Sequence, residues 1–213
     1  MIMTFNDGLN NFDIVYYINL EHRKDRYNHI TNVLNETNID TDKIHRINGI
    51  YNKELGILGC AKSHCLALDT FIKSGKDNCI IFEDDFEFVI EQDIVNKLID
   101  KVFNQSKVFD VLMLASNILN SQPTEFDFIT KIYDAQTLSG YAVTKDFAPI
   151  LLNNYRESIA LLEKAGQKVH PYCFDIYMKR LQPYAKWYCL NPRVGKQIES
   201  YSDIENRVVD YNC

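Results

Sequence analysis

Hydrophobic positions along this chain fall into two textures. Ile14-Val15-Tyr16-Tyr17-Ile18, Cys79-Ile80-Ile81-Phe82 and Trp187 to Leu190 are short apolar runs without the in-out alternation of a half-exposed strand. They predict strands buried on both faces. Val108 to Ala115, Ile44 to Ile47 and Gly140 to Thr144 predict three more. Between the runs the apolar period changes to that of a helix. Ile30, Val33 and Leu34 stand among charges and amides in a predicted helix from Arg23 to Asn35. A second helix opens at Gly59, carries Cys60, Ala61, His64, Cys65, Ala67, Leu68, Phe71 and Ile72 at helical spacing, and stops at Ser74-Gly75. Further helices are expected near Ile94 to Phe103, from Phe147 to about Asn153, from Tyr155 to Ala165 and from Cys173 to Leu181, with a polar loop around Pro123.

Alternation of apolar strands with helices predicts an α/β fold, a mainly parallel sheet covered on both faces. In such sheets ligands bind outside the carboxyl ends of the strands. The length of 213 residues suits a single domain, with a flexible tail over residues 1–12 and a polar C-terminal tail over residues 192–213. Hydrophobic residues at 46% and charged residues at 24% mark a globular chain, not a disordered one. A net charge of -6 lacks the general basic footprint of a nucleic-acid binder. Neither a signal-peptide pattern nor an apolar stretch of spanning length is present, so a cytoplasmic protein without a transmembrane segment is expected. The six cysteines show no CxxC pair and read as reduced, mostly buried residues.

Chemistry gathers at the ends of the predicted strands. Glu83-Asp84-Asp85 follows a fully apolar strand, and three carboxylates there need a cation or water. Such oxygens suit Mg2+ or Mn2+; a solvated acidic loop is the alternative. Arg23 and Arg26 lie i and i+3 on one helix face and are able to converge on an anion, or to pair with Glu21 and Asp25. His64 suits a satisfied buried histidine as well as a ligand, and Ser63 an ordinary helix position. Asp175 falls in the first turn after Pro171, where the helix dipole favours a carboxylate and where a base acting on a hydroxyl is equally well placed.

Taken in order, several segments resemble glycosyltransferase family 25, the sugar transferases of bacterial lipopolysaccharide and of collagen modification, also found in large DNA viruses. They are Tyr17-Ile18-Asn19-Leu20 with Arg23, Asp25 and Arg26; Ile47-Asn48-Gly49; Gly59-Cys60-Ala61 with Ser63-His64; Ile81-Phe82-Glu83-Asp84-Asp85; Gly140-Tyr141-Ala142-Val143-Thr144; Asp175; and Gln197 with Ser202-Asp203-Ile204. The resemblance implies a GT-A fold, a Rossmann-like sheet binding a UDP-sugar, with glucose or galactose as the leading hexoses. It implies Mn2+ or Mg2+ at the acidic triplet, with Asp85 as a direct ligand and Glu83 and Asp84 touching the metal, its waters or the ribose. By the same analogy Asn19, Arg23, Arg26, Ser63, His64 and Tyr141 line the donor pocket, and Tyr17, Tyr141 and Trp187 are candidates for its aromatic walls. Asp175 becomes the base of an inverting transfer to a glycan or protein hydroxyl. No histidine follows His170, so Gln197, Asp203 or water would fill a late metal position.

Two further functions share these features. A catalytically silent GT-A domain would bind a nucleotide sugar or glycan, and a metal-dependent phosphohydrolase would share the acidic strand end but fits the Arg and Ser-His segments poorly. Codon-biased residues point to an AT-rich source such as a large virus or low-GC bacterium. The 25 Tyr and Phe residues suit acceptor binding or a homodimer surface.

Overall fold

The computed structural model describes residues 7–106, 109–202, 204 and 207–209. Its centre is a six-stranded sheet in the order β2-β1-β3-β6-β5-β7, formed by β1 (Ile14–Asn19), β2 (Ile44–Asn48), β3 (Asn78–Glu83), β5 (Val111–Pro123), β6 (Ile129–Thr144) and β7 (Trp187–Leu190). β1 runs parallel to β2 and β3, and β5 parallel to β7. Only β6, antiparallel to β3, β5 and β7, is reversed. A mainly parallel Rossmann-like sheet with one reversed strand between two parallel groups is a GT-A type arrangement, as expected.

Strand alternation explains why the runs are apolar throughout. Tyr16, Ile18, Ile81, Met113, Tyr141 and Trp187 face a core closed by α2 (Gly56–Ser74) and α4 (Ala148–Ala165). Val15, Tyr17, Ile80, Phe82, Leu112 and Ala142 face a second core on the other side, which takes in Ile30 and Leu34 of α1 (Lys24–Asn35) and Val95, Leu98 and Ile99 of α3 (Gln92–Lys101).

Several boundaries differ from expectation. The expected N-terminal tail holds a 3-10 turn at Gly8–Asn11, and Leu9 and Phe12 are buried, because the turn's amides bond Asn96 and Asp100 of α3; residues 1–6 lie outside the described residues. α2 begins three residues before Gly59 and ends, as read, where Gly75 adopts φ +71°, a left-handed cap that glycine accepts without strain. The expected loop around Pro123 is instead the outer half of β5, paired with the first half of β6, whose Ile129, Thr130 and Lys131 pair in turn with β7. Backbone pairing satisfies those peptide groups while most of the side chains from Asn117 to Pro123 meet water, Ile118 and Leu119 among them, so the segment carries neither an unbroken apolar run nor a regular alternation. Asn153-Asn154 does not split α4, since Asn154 is buried within it. The region from Cys173 to Leu181 is not one helix but a short α5 (Phe174–Tyr177) followed by a 3-10 turn.

Beyond Pro192 the chain is not a plain tail. β8 (Gly195–Gln197) pairs antiparallel with β4 (Phe86–Phe88), and β9 (Ser200–Ser202) pairs with β10 (Arg207–Val209). Asp203 lies outside the described residues.

Candidate active site

β1 and β3 end side by side, with Ile18 in register with Glu83, and their continuations deliver Asn19 and the three carboxylates to one edge of the sheet. A cavity of about 270 Å³ opens there. Its apolar wall comes from Ile18, Leu20, Ile57, Leu138 and Phe174, and its polar wall from the carboxylates, Arg23, Arg26, Asp175 and Gln197.

Arg26 is the cation of this edge. Its Nη1 lies 3.1 Å from Asp84 Oδ1 and 2.7 Å from Asp85 Oδ2, and Nη2 donates to Ser200 Oγ at 2.6 Å and to the Tyr201 carbonyl at 3.1 Å. α1 thereby ties the acidic strand end to β9. Asn19 Nδ2 donates to Asp84 Oδ2 at 2.7 Å, and Gln197 Nε2 donates to Asp85 Oδ2 at 2.8 Å. Asp85 Oδ1 is buried without a hydrogen-bond partner. Burial pushes the Asp85 carboxyl up to about 7, with Glu83 and Asp84 adding to the rise and Arg26 opposing it. Burial raises Asp84 as well, against the pull of Arg26 and Asn19.

Glu83 faces the other way and moves oppositely. Burial alone would raise it, but the hydrogen bond and charge of His64 outweigh burial and hold it below the usual range. His64 Nε2 is 2.9 Å from Glu83 Oε1, its Nδ1 is 3.2 Å from the Tyr141 hydroxyl, and the Cys60 thiol approaches Glu83 Oε1 at 3.7 Å. Cys60, His64 and Glu83 form a group able to hold a metal ion, with one donor atom from each within 4.8 Å of the others.

Asp175 lies on the same cavity wall. Burial raises its carboxyl, Glu83 adds to that rise, and the backbone N–H of Thr137 opposes it by hydrogen bonding to the charged form. Thr137 holds φ 65° in β6, a strained conformation for a β-branched residue, and it too lines the cavity.

Arg23, Ser63 and His64 reach the cavity wall as expected, but Arg23 and Ser63 also bond away from it, and the expected aromatic residues lie elsewhere. Arg23 turns to Asp25 (3.0 and 2.8 Å) and to the Tyr201 carbonyl, which lowers the Asp25 carboxyl to about 2. Ser63 accepts from the Ile50 amide and donates to the Gly59 carbonyl, both at 2.8 Å, fixing the turn against α2. Tyr141 and Trp187 are wholly buried and Tyr17 nearly so, so the aromatic walls assigned to them belong to the core, and Tyr141 sits behind His64. Tyr51 and Phe174 line the cavity with aromatic rings instead, beside the imidazoles of His64 and His170. Thr137 and Lys168 join it unannounced: a strand-forming Thr and a lone Lys carry no local pattern.

No family model matches the chain, and no curated protein does. Similar solved structures include the crystal structure of A197 from STIV, at 14% identity and TM-score 0.47, covering 92% of each chain. They also include mannose-1-phosphate geranyltransferase from Thermus thermophilus, at 9% identity and TM-score 0.45, covering 83% of this chain and 59% of that one. The resemblance to family 25 therefore rests on the ordered motifs alone.

Proposed function

We propose that this protein is a glycosyltransferase that moves a hexose, glucose or galactose, from a UDP-sugar to a hydroxyl of a glycan or protein acceptor with inversion at the anomeric carbon. The observation that carries the reading is the buried acidic edge at the end of β3, opening on a cavity at the carboxyl ends of parallel strands. A divalent cation, Mn2+ or Mg2+, fits the residues present: Asp85 Oδ1 is an unpartnered buried acceptor, and Asp84 and Asp85 have further oxygens held only by neutral amides and Arg26. Asp85 and Asp84 would hold it, with Glu83 beside them. Bound there, the cation would offset the charge of the departing nucleoside diphosphate.

The chain's own residues supply the rest. Arg26 adds a fixed positive charge where the diphosphate would lie, and Arg23 and Lys168 are further cations on the cavity wall. Asp175, its carboxyl raised by burial, takes the acceptor proton as the hydroxyl oxygen attacks the sugar carbon and the bond to the diphosphate breaks. Leu138, Ile57 and Phe174 line the same space and exclude water.

A second reading has its own observation. Arg26 occupies the gap between Asp84 and Asp85, as a guanidinium standing in for a metal would, which suits a silent domain that binds a nucleotide sugar or glycan without turnover. Nucleotide release from a panel of UDP- and GDP-sugars, with and without Mn2+, tests both. Metal-dependent turnover of one UDP-hexose, lost in Asp85→Ala, establishes the transferase; UDP binding without turnover establishes the silent domain, and neither overturns both.

A further inference from the structure

Cys60 and His64 are one helical turn apart on α2, i and i+4, and so project from the same face. That face meets the end of β3, where Glu83 brings a carboxylate to both: 2.9 Å to His64 Nε2 and 3.7 Å to Cys60 Sγ. Two donors therefore converge on one oxygen, and the three donor atoms lie within 4.8 Å of one another. The fold already holds the imidazole in place. Its other nitrogen meets the Tyr141 hydroxyl at 3.2 Å, the ring lies stacked near Tyr141 at 5.8 Å and tilted against Phe174 at 4.9 Å, and Tyr141 is itself hydrogen-bonded to Tyr155. A ring oriented through its far nitrogen by a buried partner is the usual outer support of a metal-ligating histidine. Cys60 and Glu83 also line the 270 Å³ cavity, so a position beside the three donors is open to solvent and ligand.

We propose that Cys60, His64 and Glu83 form a binding site for a thiophilic divalent cation, Zn2+ foremost, with its fourth position facing the cavity. Donor chemistry selects the ion. Sulfur, imidazole and one carboxylate suit tetrahedral Zn2+, whereas Mn2+ and Mg2+ prefer the all-oxygen edge of Asp84 and Asp85. Three protein ligands with an open fourth place are the pattern of a zinc that binds water or substrate, unlike a closed structural site. Binding frees the thiol proton to solvent and leaves the imidazole with its proton on Nδ1, facing the Tyr141 hydroxyl, while sulfur, Nε2 and the carboxylate oxygen turn to the metal. Glu83 belongs to the same acidic strand end as Asp84 and Asp85 but turns to His64 and Cys60, so the site is tested by metal binding alone, without sugar transfer.

Co2+ serves as the probe, because a thiolate ligand gives it a near-ultraviolet charge-transfer band and tetrahedral geometry gives intense visible bands. Titration of the full chain should produce both, and equimolar Zn2+ should remove them while Mn2+ does not. Cys60→Ser should abolish the charge-transfer band, and Cys213→Ser and Asp85→Asn should keep it. Absence of the band in the wild type, its survival in Cys60→Ser, or its loss in Cys213→Ser overturns the proposal. Should Cys60→Ser fail to fold, Glu83→Gln replaces it: Co2+ affinity falls at least about tenfold, since even outer-sphere partners are worth that much, and unchanged affinity overturns the site. UDP-sugar turnover plays no part in these readouts, so failure of the zinc site and failure of the transferase reading are told apart.

Discussion

Asp85 and Glu83 are two residues apart and their pKa values move in opposite directions, which makes the acidic edge visible in stability against pH. Asp85 titrates at about 7 when folded against 3.8 when exposed, so between those values the folded state holds the extra proton and stability falls as pH rises. Asp84, also raised, acts with the same sign, whereas lowered Glu83 contributes stability above its ordinary value that is lost on acidification. Asp85→Asn should flatten the fall between about pH 4 and 7, a component on the order of 2–4 kcal/mol, in urea unfolding at stepped pH. An unchanged slope would mean that Asp85 is ionised throughout. Arg26→Met removes the guanidinium that faces Asp84 and Asp85; a buried pair broken on one side costs about 3 kcal/mol, at the lower end of the usual range because Asp85 is able to take a proton. Millimolar Mn2+ should recover part of that loss in thermal unfolding, and no recovery would argue against a cation site there. At this scale the acidic triplet was legible as a group needing a cation or water, with a solvated acidic loop as the alternative, because three consecutive carboxylates after an apolar strand cannot all enter a dry core. The Arg23–Asp25 pair was legible only as one of two alternatives, since helical spacing lets an arginine reach its own neighbours or a distant acid equally well. Thr137 was not legible, because a positive φ follows from the irregular pairing of β5 and β6 and not from the residue.

β4 and β8 show how an element of three residues is specified from a distance. Phe86 packs 4.5 Å from Phe82, and its ring lies against Gly140 of β6 and Gly195 of β8. A Cβ at Gly195 would meet Phe86 Cε2 at 2.2 Å, and one at Gly140 would meet Cδ2 at 2.7 Å, so both positions must lack a side chain for the ring to lie flat. This packing carries Gln197 to Asp85 and aligns the Ile198 amide with the Asp85 carbonyl at 2.8 Å. Gly195→Ala should cost about 1–3 kcal/mol by overpacking. Combined with Phe86→Leu, it should lose less than the sum of the single variants, since the smaller side chain relieves the clash; additive losses would mean that the two residues do not meet. The run of polar residues from Pro192 onward gave no hint of this, as its strand exists only because β4 offers an edge. The unbroken strands β1, β3 and β7 were legible for the opposite reason: burial on both faces writes itself into every position.

Residues from Ile18 to Ile204 line one cavity, so its ligand is bound by the whole molecule and not by one loop. The two cores lie on opposite faces of a single sheet, and neighbouring residues of β1, β3 and β5 belong to different cores, which couples them through the same strands. A ligand held at the sheet edge therefore stabilises the folded state as a unit. If the cavity takes UDP with a divalent cation, UDP at a hundred times its Kd adds about 2.7 kcal/mol to the folded state. For a chain of this length that is roughly 5–10 °C in Tm. Trp187, the single tryptophan, is wholly buried in β7 and reports one core, while far-ultraviolet dichroism reports the helices on both faces. Both signals should shift together and by the same amount on adding UDP and Mn2+, because no element that lines the cavity is able to unfold without opening it. A shift seen by tryptophan alone would place the ligand on the β7 side of the sheet, away from the acidic edge. No shift by either signal at millimolar UDP would leave the cavity without its nucleotide.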